Sequence, residues 1–288
     1  MTDVDYKQYI LLLILGSIII FSCQKEIEFE FKNENIPLDS TGQLLIKVVT
    51  RSPGSPDSMV TTLKYDNLKK LIEFDVTGSW PGFISENYKI IRNGQGNIYK
   101  VRSTIVDPSG IEITNSTLFY DATGTRVMYR IGDSRGIGSD IRDSTVYQYD
   151  VNNKITQERI LESYPGISPY VEVIRTNYVY DGKNNLIEAT SYTDFLGSGN
   201  LQLDAVSTFS YDINNNPVQF NNECIVIGRN LIGYPSNNNI TREIIQYPQD
   251  PQRNEIRDHA YTYNIAGYPL TDITTIEGNK QQINFYYQ

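Results

Sequence analysis

The sequence predicts an all-β protein: an antiparallel meander of about eight repeated hairpins, closed or spiralling into a roll or barrel-like shell. Three observations carry this expectation. A short pattern, Tyr-x-Tyr-Asp-x-x-Asn/Gly, recurs at intervals of 23 to 31 residues. The segments that flank it are rich in Tyr, Val, Ile, Thr and Phe, whose aromatic and β-branched side chains favour a pleated surface. No long stretch after residue 24 carries a clear helical period.

The pattern is turn chemistry. Taking the last Tyr of each copy as an anchor, the anchors fall at Tyr65, Arg92 (a degenerate copy), Tyr120, Tyr149, Tyr180, Tyr211, Tyr234 and Tyr263. The residue after the anchor is Asp66, Asp121, Asp150, Asp181 or Asp212, and elsewhere Asn93, Pro235 or Asn264. Asp or Asn opens a type I turn because its side chain accepts hydrogen bonds from backbone N–H groups two or so residues on. Four residues after the anchor stand Gly96, Gly124, Asn153, Asn184, Asn215, Asn238 and Gly267, with Lys69 departing from the rule. Gly enters the left-handed region without strain and Asn is the next best tolerated. A type I turn closed by such a residue is a standard short hairpin connection. Two residues further on the chain re-enters the sheet on Leu71, Ile98, Ile155, Leu186, Ile240 or a Pro, and Arg126 is the exception.

In chain order, residues 1–22 read as a signal peptide, 23–42 as a lipidated Cys and acidic tether, and 43–288 as the β-hairpin repeat domain. The apolar run 10–21 falls short of the roughly 20 residues that span a bilayer as a helix and suits a signal peptide. Ser22-Cys23 resembles a lipobox, with Cys23 as the lipidated residue, although Phe21 and the acidic Asp3 and Asp5 depart from the usual pattern. Residues 26–31 alternate as an edge strand would, and 44–50 read as the first strand of the domain. In an up-and-down meander the longer connections (77–82, 132–142, 164–166, 196–200 and 247–254) share one rim and the tight turns the other. Binding on a β scaffold usually sits in the longer loops. Trp80, the only Trp, lies in the first of them and is the candidate ligand contact.

The Tyr-Asp-x-x-Gly/Asn copies between residues 60 and 288 resemble the YD-repeat family, known from RHS-type proteins in which such repeats build a large β shell. They are still more similar to uncharacterised surface lipoproteins of Bacteroidota with Tyr-x-Tyr-Asp-x-x-Gly/Asn hairpins. Gln24-Lys25-Glu26, with Glu28 and Glu30, resembles the signal that sends such lipoproteins to the cell surface. The resemblance implies an outer-membrane, lipid-anchored, outward-facing protein, held to the membrane through Cys23. It implies no particular activity.

The formal charge of −9 argues against nucleic acid, which calls for a basic face. With Cys23 lipidated, Cys224 is unpaired, which excludes a disulfide framework or a Cys-based zinc site. His259 is the only His, so a multi-His metal site is excluded and a structural role in a strand is expected. The Asp-rich turns overlap the start of a calcium loop but have neither its Gly nor its distant Glu. No metal, cofactor or catalytic constellation is therefore expected. The twenty-two Tyr follow the repeat and read as cross-strand packing rather than as a glycan platform.

The leading expectation is a non-enzymatic binding or scaffold module for a glycan or protein ligand. Two alternatives are a carbohydrate-active enzyme with carboxylates at one rim, and an outer-membrane-spanning barrel. Against the spanning barrel, segment 154–162 carries charge on both strand faces and Gln288 stands where such barrels have an aromatic residue.

Overall fold

The computed structural model describes residues 44–79, 85–136, 141–163, 170–195, 199–218, 222–227 and 236–288. Cys23, Trp80 and segment 26–31 lie outside them, as does the side chain of Cys224.

Sixteen strands form a closed barrel in which each strand pairs with its sequence neighbours and the last pairs with the first. They are β1 (Leu45–Arg51), β2 (Ser58–Tyr65), β3 (Leu71–Gly78), β4 (Ser85–Arg92), β5 (Ile98–Asp107), β6 (Gly110–Tyr120), β7 (Val127–Arg135) and β8 (Ile141–Tyr149). The second half comprises β9 (Ile155–Ser163), β10 (Val171–Tyr180), β11 (Leu186–Thr193), β12 (Gln202–Asn215), β13 (Asn238–Gln246), β14 (Glu255–Tyr263), β15 (Pro269–Ile276) and β16 (Asn279–Tyr287). One short helix, α1 (Asn222–Val226), lies between β12 and β13. The meander thus closes, and no strand edge is left unpaired.

The Asp- and Asn-opened motif turns share one rim, whereas the two-residue turns 108–109 and 277–278 lie among the longer connections on the other, contrary to the expected division of tight and long turns. Asp66 Oδ1 accepts the backbone N–H groups of Leu68 and Lys70, and Asp150, Asp181, Asn93 and Asn264 repeat the arrangement. Gly96, Gly124, Asn153, Asn184 and Gly267 adopt positive φ, and so does Lys69 at φ 59°. Geometry overrides residue preference at Lys69, because the turn has no other way to close. The turn after Tyr120 holds one extra residue: Asp121 N–H bonds Arg126 O, and Val127 takes the sheet position expected for residue 126. Arg126 instead reaches Asn153 Oδ1 at 2.7 Å.

Each of the anchors on a β-strand sits at a register shift, so its side chain turns inward beside the turn. The phenol then donates to the carbonyl where the preceding hairpin re-enters the sheet. Tyr65 reaches Leu45 O at 2.7 Å, Tyr120 reaches Ile98 O at 2.6 Å and Tyr149 reaches Val127 O at 2.8 Å. Tyr211 does the same to Leu186 O and Tyr287 to Pro269 O. Arg92 is the informative exception, since its Nη2 donates to Leu71 O at 3.2 Å and so does the work of the missing Tyr.

The sixth copy departs from expectation. β12 runs straight through Tyr211-Asp212, and Asn215 and Asn238 pair across β12 and β13 instead of closing a turn. The Asp212 carboxylate still accepts from the N–H two residues on, at Asn214, but takes Asn239 N–H and the Tyr263 phenol in place of the N–H four residues on. Asp212, Asn215 and Asn238 are therefore strand residues. The chain between them supplies Val218, Ile225, Val226 and Ile227 to the same buried cluster as Leu45, Leu71, Ile98, Ile155 and Leu186. These side chains form an apolar floor inside the barrel at the tight-turn end. Glu223 on α1 anchors it through Arg92, with Nη1 to Oε1 at 2.8 Å and Nη2 to Oε2 at 2.9 Å.

Candidate functional site: a blind cavity in the barrel

The floor divides the barrel into an apolar base and a polar upper half. In the upper half, between β10 and β16, a cavity of about 850 Å³ faces the rim that carries connections such as 247–254. Alternation puts Glu255, Arg257, His259, Tyr261 and Tyr263 on the inner face of β14, and their partners on β13 and β15 face them.

Two polar groups dominate the wall. Arg257 Nη1 donates to Glu243 Oε2 at 3.0 Å, and Arg257 Nε pairs with Glu255. Burial pushes the Glu243 carboxyl up, while the neighbouring Arg257 pulls it back. Beside them, His259 Nδ1 lies 2.8 Å from Asp272 Oδ2, and Thr274 Oγ1 donates to the same oxygen at 2.9 Å. The Asp272 carboxylate and Nδ1 of His259 thus share one hydrogen bond. The ring stacks on Tyr261, with centroids 6.0 Å apart and planes 9° apart. The expected structural role of His259 is thus joined by a place on the cavity wall. Asp204, Ser207 and Gln281 also line the cavity.

A smaller chamber of about 260 Å³ lies deeper and shares Ile240, His259, Gln281 and Ile283 with the cavity. A further polar cluster lies on β7–β10. Arg130 Nη2 donates to Thr145 Oγ1 at 3.1 Å and to Asp143 Oδ2 at 3.4 Å. Glu158 accepts from the Tyr178 phenol at 3.0 Å, and burial raises its carboxyl above the ordinary range against the pull of Arg130. Tyr178 lines the cavity and so joins this cluster to it.

The turn residues singled out in the sequence lie on the far rim, away from this wall. Asp204, Glu243, His259, Asp272 and Gln281, which form it, carry no motif. A signal did exist in the run 255–263, where alternate residues are all charged, polar or aromatic while the opposite set is mixed. Among the described residues no group of His, Cys, Asp and Glu is arranged to hold a metal.

No family model matches the chain, and no curated protein does. Solved structures do. A porin-like protein from Bacteroides uniformis aligns over 85% of this chain and 98% of its own, with 14% identity and a TM-score of 0.50. A porin-like protein from Bacteroides vulgatus aligns over 85% and 99%, with 13% identity and a TM-score of 0.52. The similarity is one of fold: a closed antiparallel barrel.

Proposed function

We propose that this is an outer-envelope barrel that binds a small polar ligand in a blind cup and performs no chemistry on it. The observation that carries the reading is the pairing of a packed apolar floor with a polar cavity above it, which makes a vessel rather than a channel. Glu243 is tied to Arg257, and Asp272 to His259 and Thr274, as expected of a recognition wall. Leu44 and Gln288 exchange backbone hydrogen bonds at the tight-turn rim.

A second reading, a membrane-spanning barrel, is favoured by the strand closure, by the porin-like structures, and by Ile111, Phe119, Met128 and Tyr129, which are exposed on the outer wall of β6 and β7. Ile91, Tyr99, Val179, Ile187 and Ile256 extend that exposure to other strands, and charged pairs on the outer wall oppose the reading. Lys64 bridges Glu73 and Asp75, Arg242 pairs with Asp258, and Arg159 and Arg175 share Glu172. Each Lys or Arg against lipid near the midplane costs about 2–4 kcal/mol. On our reading the protein sits at the outer membrane with the barrel wall in water.

Two measurements on the full chain test this. A thermal-shift screen of sugars, amino acids, amines and carboxylates should yield binders, and Ser207→Trp, which fills the cavity from β12, should abolish them. Planar bilayers should show no conductance steps. Steps of porin size would transfer the protein to the second reading, and hits indifferent to Ser207→Trp would refute the cup.

A further inference from the structure

We infer that the deep chamber is a recognition site for an organic ammonium group, with Asp272 as its counter-ion. This deepens the cup reading and rests on it.

Asp272 is 2% exposed. Its Oδ2 takes both protein donors, His259 and Thr274, whereas its Oδ1 is buried and accepts no hydrogen bond. A buried carboxylate oxygen without a donor costs roughly 1–3 kcal/mol or more, so the arrangement favours a ligand that brings one. The chamber that Asp272 lines holds no Lys or Arg. Around that carboxylate Val48, Met59, Ile240, Ile283 and Phe285 give hydrocarbon surface, and Thr50, Thr61, Asn216, Asn239 and Gln281 add neutral polar groups. A cation with an apolar body meets a carboxylate and hydrocarbon walls there. The wider cavity adds no net charge of its own, with Asp204 and Glu243 against Arg253 and Arg257. A neutral alcohol could satisfy the hydrogen bond but not the charge, and an anion would be repelled.

The test is calorimetric titration of the full chain at pH 7.5 with phenethylammonium chloride and with its neutral analogue 2-phenylethanol. The ammonium should bind at least ~10-fold more tightly, equivalent to about 1.4 kcal/mol. Asp272→Asn should remove that preference while leaving the alcohol unchanged. Ile283→Lys guards against a folding defect in that variant. Residue 283 is the cross-strand partner of Asp272, so a Lys there supplies its own ammonium and should block the probe. Equal binding of the two probes, or ammonium binding indifferent to Ile283→Lys, would overturn the assignment. So would a sodium ion competing as strongly as the amine, which would mark a simple cation site. Failure of the amine with other screened ligands still sensitive to Ser207→Trp would sink the ammonium site alone. If no ligand responds to Ser207→Trp, both readings fall together.

Discussion

Arg92 and Glu223, 131 residues apart in sequence, offer the sharpest test of how the floor is held. The Arg92 side chain is 8% exposed and that of Glu223 is 40% exposed. The guanidinium makes two hydrogen bonds to the carboxylate, one to Leu71 O and one to Gly96 O. Hydrogen bonds to charged groups are worth ~1.5–3 kcal/mol each when buried. The exposure of Glu223 lets water recover part of that, so a coupling of about 1–3 kcal/mol is expected. A double-mutant cycle with Arg92→Tyr and Glu223→Gln measures it. Arg92→Tyr is the instructive substitution, because Tyr can still donate to Leu71 O and restores the repeat at that position. The loss should therefore reside in the pairing term and vanish in the Glu223→Gln background. Urea unfolding is the readout, and 1 kcal/mol corresponds to ~2–4 °C in melting temperature for a domain of this size. A coupling below ~0.5 kcal/mol would refute the clamp and reduce Arg92 to a surrogate Tyr.

Other outcomes follow from the same structure. Lys69→Asn should stabilise the barrel by about 0.5–1 kcal/mol in chemical unfolding, because it relieves a left-handed Lys. Tyr149→Phe should cost ~1–3 kcal/mol by stranding Val127 O. Burial first pushes the phenols of Tyr120 and Tyr149 up to about 12, above their unfolded value of 10. Their contribution is complete below pH 10 and lost as pH rises towards 12, so melting temperature should fall across that window and fall less steeply in Tyr149→Phe. Glu158 is likewise raised by burial, so its folded form favours the proton and loses stability as pH rises through the raised value. Glu158→Gln should melt above the parent at pH 8 and converge with it towards pH 4.

The fold was legible in the sequence because each turn is locally encoded. At most copies an acceptor after the anchor and a left-handed residue three later fold the chain back, and sixteen strands then have to curl. The misread positions are those whose role depends on distant residues. Asp212 looks like its repeat siblings, yet Asn239 and Tyr263 decide what it binds. Arg92 looked like decay of the motif until Glu223 was seen beside it. The extra residue before Val127 is a local insertion that the repeat absorbs without losing register. The cavity was hidden for another reason. Both faces of these strands are polar in the upper half, so alternation does not reveal which set points inward. Trp80 and Cys23 lie outside the described residues, and the proposed site does not use them.

The seam where the barrel closes behaves like one more hairpin with its loop cut. Leu45 faces Tyr287 beside a register shift, Leu44 and Gln288 bond reciprocally at 3.3 and 2.9 Å, and the Tyr287 phenol reaches Pro269 O. In this geometry β1 belongs as much to the end of the polypeptide as to its beginning. A circular permutant that joins Gln288 to Leu44 through an Asp-x-x-Gly bridge and opens the chain at Gly54 would present the same sixteen-strand circuit from a new starting point.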